Sequence, residues 1–304
     1  MGVVGRSIVS LLPLAPKFIV RWVAKRYMAG ESLEQALDVM RKISLEDACF
    51  TVDVLGEEVK KLEEAAFFVQ EYHRVIDLIV ENGLDANVSI KPTALGLLID
   101  YSAGIENIEN LLRRAAEDDI FVRLDMEDHR VTKATIDVAL AMHDKGLTNI
   151  GVVLQGWLLR TPSDISDISK KSGPKTDFRI CKGIYLEPAE IAHTTYRGIV
   201  DATNLAVELM LDSGAYTAIA SHDSPVIEHA ILALEERGMG PGTLDPRHSE
   251  NVVRTQGKGP GYEFQFLLGV RGDVRRDLAK KGHRTRVYIP YGTKWYEYSL
   301  RRLR

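Results

Sequence analysis

The sequence predicts a closed (β/α)8 barrel. Three observations carry that prediction: eight short β-branched apolar runs, helical-period segments between them, and no composition break or linker across about 250 residues. The runs are "ACFTVDVLG", "NVSIKPTALG", "IFVRLDMED", "IGVVLQGWL", "FRICKGIYL", "YTAIASHD", "YEFQFLLG" and "RVYIPYG". Stretches between them, such as "GEEVKKLEEAAFFVQEYHRVIDLIVENG" and "DATNLAVELMLDSG", repeat apolar residues at steps of three and four. Such alternation demands parallel pairing, because each strand must return through a crossover helix. An open doubly wound sheet is the alternative. Residues 1–44 are expected to form a helical arm, and residues 45–304 the barrel with a C-terminal helix over its mouth.

Composition narrows the function classes. Lys plus Arg is 39 against 43 Asp plus Glu, a formal charge of -4, so no overall field favours nucleic acid, and any anion site must be local. Cys49 and Cys181 lie far apart and have no partner at metal-ligand spacing, which argues against a zinc site and a disulfide framework. No apolar run reaches the roughly 18 to 20 residues of a membrane-spanning helix. The opening "MGVVGRSIVSLLPLAPKFIVRWVAKRYMAG" breaks its apolar stretch with prolines and basic residues and reads as a short amphipathic arm. Docking of that arm on a membrane surface fits better than a signal peptide, since no small-residue cleavage site follows. The cytoplasm, or the inner face of the cytoplasmic membrane, is the expected location.

Barrels place their chemistry at the C-terminal ends of the strands. Here Lys91 ends the second strand, Asp125 the third, Gln155 the fourth, and His222 the sixth. Arg179 and Lys182 fall on the fifth, Glu263 and Gln265 on the seventh, and Tyr288 on the eighth. Alternation points Arg179 and Lys182 to opposite faces, unless a bend at the strand end lets both converge. Any one of these charges alone reads equally well as a structural ion-pair partner. Nearly every strand ending in a polar group is harder to dismiss, because each unpaired buried polar group costs about 1–3 kcal/mol. The cations in the set favour an anionic ligand.

Familiar motifs are missing: there is no G-x-G-x-x-G after a strand, no phosphate loop and no H-E-x-x-H. The contiguous "SHD" at Ser221, His222 and Asp223 is no nucleophilic triad, whose members come from separate segments. Asn87 opens an N-x-S sequon, yet its place before a core strand speaks against glycosylation. The closing "WYEYSLRRLR" reads either as a solvated basic tail or as an anion grip. On a helix, Trp295, Tyr298 and Arg302 share a face, with Arg301 about 100° aside.

The ordered set "VSIKPTALG", "VRLDMED", "VVLQGWL", "FRICKGIYLEP", "ASHD", "YEFQFLLG", "RVYIPYG" and "YSLRR" resembles the successive signatures of the proline dehydrogenase family, from about residue 45 onward. The resemblance implies a distorted (β/α)8 barrel holding FAD noncovalently. It implies oxidation of L-proline to Δ1-pyrroline-5-carboxylate by hydride transfer from proline C5 to flavin N5, with electrons passed to a membrane quinone. It also implies a monofunctional enzyme whose product is taken by a separate pyrroline-5-carboxylate (glutamate semialdehyde) dehydrogenase, with no nucleic-acid partner. By the same resemblance Arg179 sits near flavin N5, and Gln155, Lys182, Gly183 and His222 contact FAD. Glu263 and Gln265 match the strand-seven signature on the cofactor side. Lys91, Arg301 and Arg302 hold the proline carboxylate, Asp125 orients Arg301 or Lys91, and Tyr185, Tyr288 and Tyr298 enclose the ring. No metal is implied.

In the family the paired arginines lead the pattern R-R-x-x-E. This sequence carries Arg301-Arg302-Leu303-Arg304, where it stops one residue before that glutamate. The physical requirements agree with the implied roles: a carboxylate is a natural handle for two arginines and a lysine, and the cofactor supplies the electronics while the protein orients. Three other readings stay open. They are a flavin dehydrogenase for hydroxyproline or another cyclic imino acid, a barrel aldolase with Lys91 or Lys182 as Schiff base, and a barrel without catalytic activity.

Overall fold

Eight parallel strands, each paired with its neighbours in sequence and the last with the first, close into a barrel. In the computed structural model, residues 25–247, 260–296 and 298–299 are described. Arg301, Arg302 and most of the expected arm lie outside them. The strands are β1 (Ala48–Val54), β2 (Ala86–Ile90), β3 (Val122–Leu124), β4 (Ile150–Gln155), β5 (Asp177–Cys181), β6 (Tyr216–Ala220), β7 (Tyr262–Leu267) and β8 (Thr285–Tyr291). The helices are α1 (Leu33–Ser44), α2 (Leu62–Glu81), α3 (Tyr101–Glu117), α4 (His129–Asp144), α5 (Thr161–Ser172), α6 (Tyr196–Asp212), α7 (Ser224–Glu236) and α8 (Gly272–Lys280). All eight predicted runs are strands, and the closed barrel prevails over the open sheet.

The apolar core lies between the outer faces of the strands and the inner stripes of the helices, where Val75, Ile76, Ile108, Leu111, Met142 and Met210 are fully buried. Several helices start on a polar cap left by the preceding loop: the side chains of Asp100, Asp128 and Thr195 accept from backbone N–H groups of α3, α4 and α6. Before the barrel, α1 packs on β1 and β8. The chain leading to it pairs with the end of β8, Ala29 N donating to Pro290 O at 2.8 Å. No helix among the described residues is long and apolar enough to cross a membrane.

Inside the barrel the lower side chains are charged. Arg286 donates to Glu263 at 2.7 and 3.0 Å, and Arg123 ion-pairs with Asp177. Gly151 on β4 makes room for the second pair, since a Cβ there would lie 2.6 Å from Arg123 Nη1 and 2.5 Å from Asp177 O.

The strands are shorter than the sequence runs. Lys91, Asp125 and Lys182 stand one residue beyond β2, β3 and β5, and His222 two beyond β6. Pro92, which has no N–H for a ladder, turns the chain after β2 into a 3-10 turn, Pro92–Leu95. After β5, Gly183 adopts φ +114. This bend lets Lys182 join Arg179 on the same cavity despite the alternation.

Candidate active site

The C-terminal strand ends surround a cavity of about 370 Å³, within the ~300–1,000 Å³ of small-molecule clefts. Strand register builds it. Asp53 on β1 pairs with Ser89 on β2, and Lys91 follows Ser89 by two residues, so the three share one face. Lys91 Nζ donates to Asp53 Oδ1 at 2.6 Å and lies 3.5 Å from Asp125 Oδ2. Asp125 is a hub: Ser89 Oγ donates to it at 2.5 Å, Tyr288 OH at 2.6 Å and Arg179 Nη1 at 2.8 Å. The Arg179 guanidinium also stands 5.5 Å from the Tyr288 ring centre.

Burial pushes the Asp53 carboxyl up, against the Lys91 charge, to about 6. Burial also works to lower the Lys91 ammonium, but the charges of Asp53 and Asp125 outweigh it and hold the lysine above its ordinary range. Burial and the Asp125 charge keep the Tyr288 phenol well above its usual value, so it stays a neutral donor. Two carboxylates, Asp53 and Asp125, thus face two cations, Lys91 and Arg179, and their formal charges balance. Yet Arg179, 5% exposed, keeps Nε and Nη2 buried without a hydrogen-bond partner among the described residues. Each such orphan costs about 1–3 kcal/mol.

On the other wall, Lys182 Nζ pairs with Asp223 Oδ2 at 2.6 Å and stands 5.1 Å from the Tyr196 ring centre. His222 Nε2 accepts from Leu267 N at 3.0 Å, which in the neutral ring leaves the hydrogen on Nδ1. Gln155 Nε2 donates to Glu127 O at 2.9 Å. Gly183 packs on Trp157, whose ring would lie 2.2 Å from a Cβ there. At the mouth, Tyr185 OH donates to Glu57 Oε2 at 3.1 Å, and buried Tyr298 closes over from the helical residues after β8.

The cavity thus unites the strand-end residues predicted on β2 to β6 and β8, with Gly183, Tyr185 and Tyr298. Gln265 also lines it, donating to Glu263 Oε1 at 2.5 Å. Glu263 departs from the expected place. It does not line the cavity, because Arg286 and Tyr216 OH, the latter at 2.9 Å, take its carboxylate into the charged layer of the barrel. Sequence reading passed over Asp53, Ser89 and Glu127. Period two along "FTVDV" was the missed signal for Asp53: it aligns Thr51 with Asp53 and leaves a lone carboxylate between valines. Among the described residues no cluster suits a metal ion.

Fold and cavity together define a (β/α)8 barrel with a cavity of small-molecule size at its strand ends. The sequence profile described as proline dehydrogenase matches residues 36–304, and the chain belongs to the proline dehydrogenase family. It is 31% identical over 294 residues to proline dehydrogenase 1 of Bacillus subtilis subsp. natto, covering 97% of this chain and 90% of that one. It is 29% identical over 285 residues to proline dehydrogenase of Deinococcus radiodurans, covering 92% and 85%. Its fold superposes with a TM-score of 0.81 on the crystal structure of proline utilization A from Bdellovibrio bacteriovorus inactivated by N-propargylglycine. That match is 22% identical and covers 92% of this chain and 32% of that one, so the chain spans about a third of that protein's length.

Proposed function

We propose that the chain is an FAD-dependent proline dehydrogenase that oxidises L-proline to Δ1-pyrroline-5-carboxylate. The observation that carries this reading is the Arg179 guanidinium on the cavity lining: one arm is tied to Asp125, and among the described residues Nε and Nη2 have no hydrogen-bond partner. A guanidinium suits the electron-rich edge of a flavin ring, and Gln155, Lys182, Gly183 and His222, which line the same cavity, would hold the rest of it. Bound FAD supplies the two-electron acceptor for the hydride that leaves proline C5.

The remaining work falls to the chain itself. Lys91, with Arg301 and Arg302 of the C-terminal segment, would bind the substrate carboxylate and so choose the ring face that reacts. Asp125 fixes Arg179 and Tyr288 relative to Lys91. Tyr185, Tyr288 and Tyr298 frame a pocket sized for a five-membered ring and limit its water. The amine must lose its proton before nitrogen can form the C=N bond, and that proton leaves to solvent. In this reading a membrane quinone takes the electrons at the inner face of the cytoplasmic membrane, and a separate glutamate semialdehyde dehydrogenase consumes the product.

The aldolase alternative loses support from Lys91, because an ammonium held charged by two carboxylates is a poor nucleophile. Incubation of the FAD-loaded protein with L-proline and a quinone should yield a product lighter by two hydrogens, seen by mass spectrometry. Recovery of unchanged proline would refute the proposal.

A further inference from the structure

We propose that Asp53 is a positioning residue for carboxylate binding: it anchors the Lys91 ammonium at the point where that ammonium meets the ligand. The inference rests on the reading of the cavity as a proline site. Asp53 is fully buried and does not itself line the cavity, so it acts only through a neighbour. Lys91 does line it. Asp125, the other carboxylate near Lys91, is 3.5 Å away and already accepts from Ser89, Arg179 and Tyr288. Asp53 Oδ1, at 2.6 Å, makes the shorter contact. The β1–β2 register that pairs Asp53 with Ser89 fixes where this anchor stands.

Charge and position predict opposite effects when Asp53 is neutralised. Asp53→Asn shifts the balanced set of Asp53, Lys91, Asp125 and Arg179 to a net positive charge, which by charge alone would tighten anion binding. Loss of the anchor instead frees the Lys91 ammonium from the position it holds between Asp53 and Asp125. It also leaves the lysine buried with one anion fewer, so burial draws its ionisation down. Among the described residues the other groups facing Lys91 are Glu57, Asp125 and Glu127, with Tyr288 and Arg179 behind Asp125. At and above about pH 8 the Asp125 and Glu127 carboxylates are ionised, and the Tyr288 phenol stays neutral.

The test uses calorimetry of cyclopentanecarboxylate binding to the FAD-loaded protein from about pH 8 to 9.5, where this ligand keeps one charge. Wild type should bind with an affinity that is flat in pH. Asp53→Asn should bind about tenfold more weakly, a loss that deepens as pH rises. In a Lys91→Met background, Asp53→Asn should cost nothing further. Equal or tighter binding by Asp53→Asn, or the same loss with Lys91 already removed, overturns the proposal. Should Asp53→Asn alone fail to fold, the double variant decides against Lys91→Met: equal affinity supports the anchor role, and weaker affinity refutes it. Absence of any binding by wild type would instead sink the proline-site reading itself.

Discussion

Arg286 and Glu263 form a two-bond ion pair, at 2.7 and 3.0 Å, with each side chain 1% exposed. Removing one partner strands a buried charge. Glu263→Ala is therefore expected to cost ~3–5 kcal/mol of stability, read from denaturant unfolding. Because Glu263 does not line the cavity, folded Glu263→Ala protein should keep its carboxylate affinity.

Gly183 holds φ +114 against the Trp157 ring, with no room for a Cβ. Gly183→Ala combines backbone strain with a clash and should cost on the order of 2 kcal/mol. A lowered melting temperature together with altered tryptophan fluorescence would check it; an unchanged melting temperature would contradict it.

Glu127 accepts from Thr93 N at 3.2 Å and from Thr93 Oγ1, and burial raises its carboxyl to about 7. Its folded value lies above the unfolded one, so the native state binds more protons between about pH 4.5 and 7, and stability falls as pH rises through that window. The full effect is at most ~3 kcal/mol. Glu127→Gln should flatten that part of the pH dependence of the melting temperature, and retention of the wild-type slope would assign it elsewhere.

Arg179→Lys preserves the charge beside Asp125 but loses the planar guanidinium fork. Proline turnover should fall about tenfold or more, equivalent to ~1.4 kcal/mol in the barrier, with little change in melting temperature. Wild-type turnover would mean that the fork serves no ligand.

The strand-helix alternation was legible because periods of two and three to four are local, and it delivered all eight strands. The strand-end residues from Lys91 to Tyr288 were legible for the same reason: each interrupts an apolar run where the ladder ends. The partner of Glu263 was not. Its pairing with Arg286 depends on the β7–β8 register, in which Gln265 rather than Glu263 stands opposite Arg286. Asp53 was hidden by its valine neighbours, since its importance arises only when β1 lies beside β2. Gly151 likewise gains meaning only through Arg123 and Asp177 from the strands on either side. The roles assigned to Arg301 and Arg302 rest on the family resemblance, because both lie outside the described residues.

The central claim is that the Arg179 wall holds an oxidised flavin beside a carboxylate site. An anaerobic absorption spectrum of the purified protein, before and after L-proline, tests it most directly. The account predicts a yellow protein whose visible band bleaches on adding L-proline. A colourless protein that takes up no FAD, or a flavin band untouched by L-proline, would contradict it.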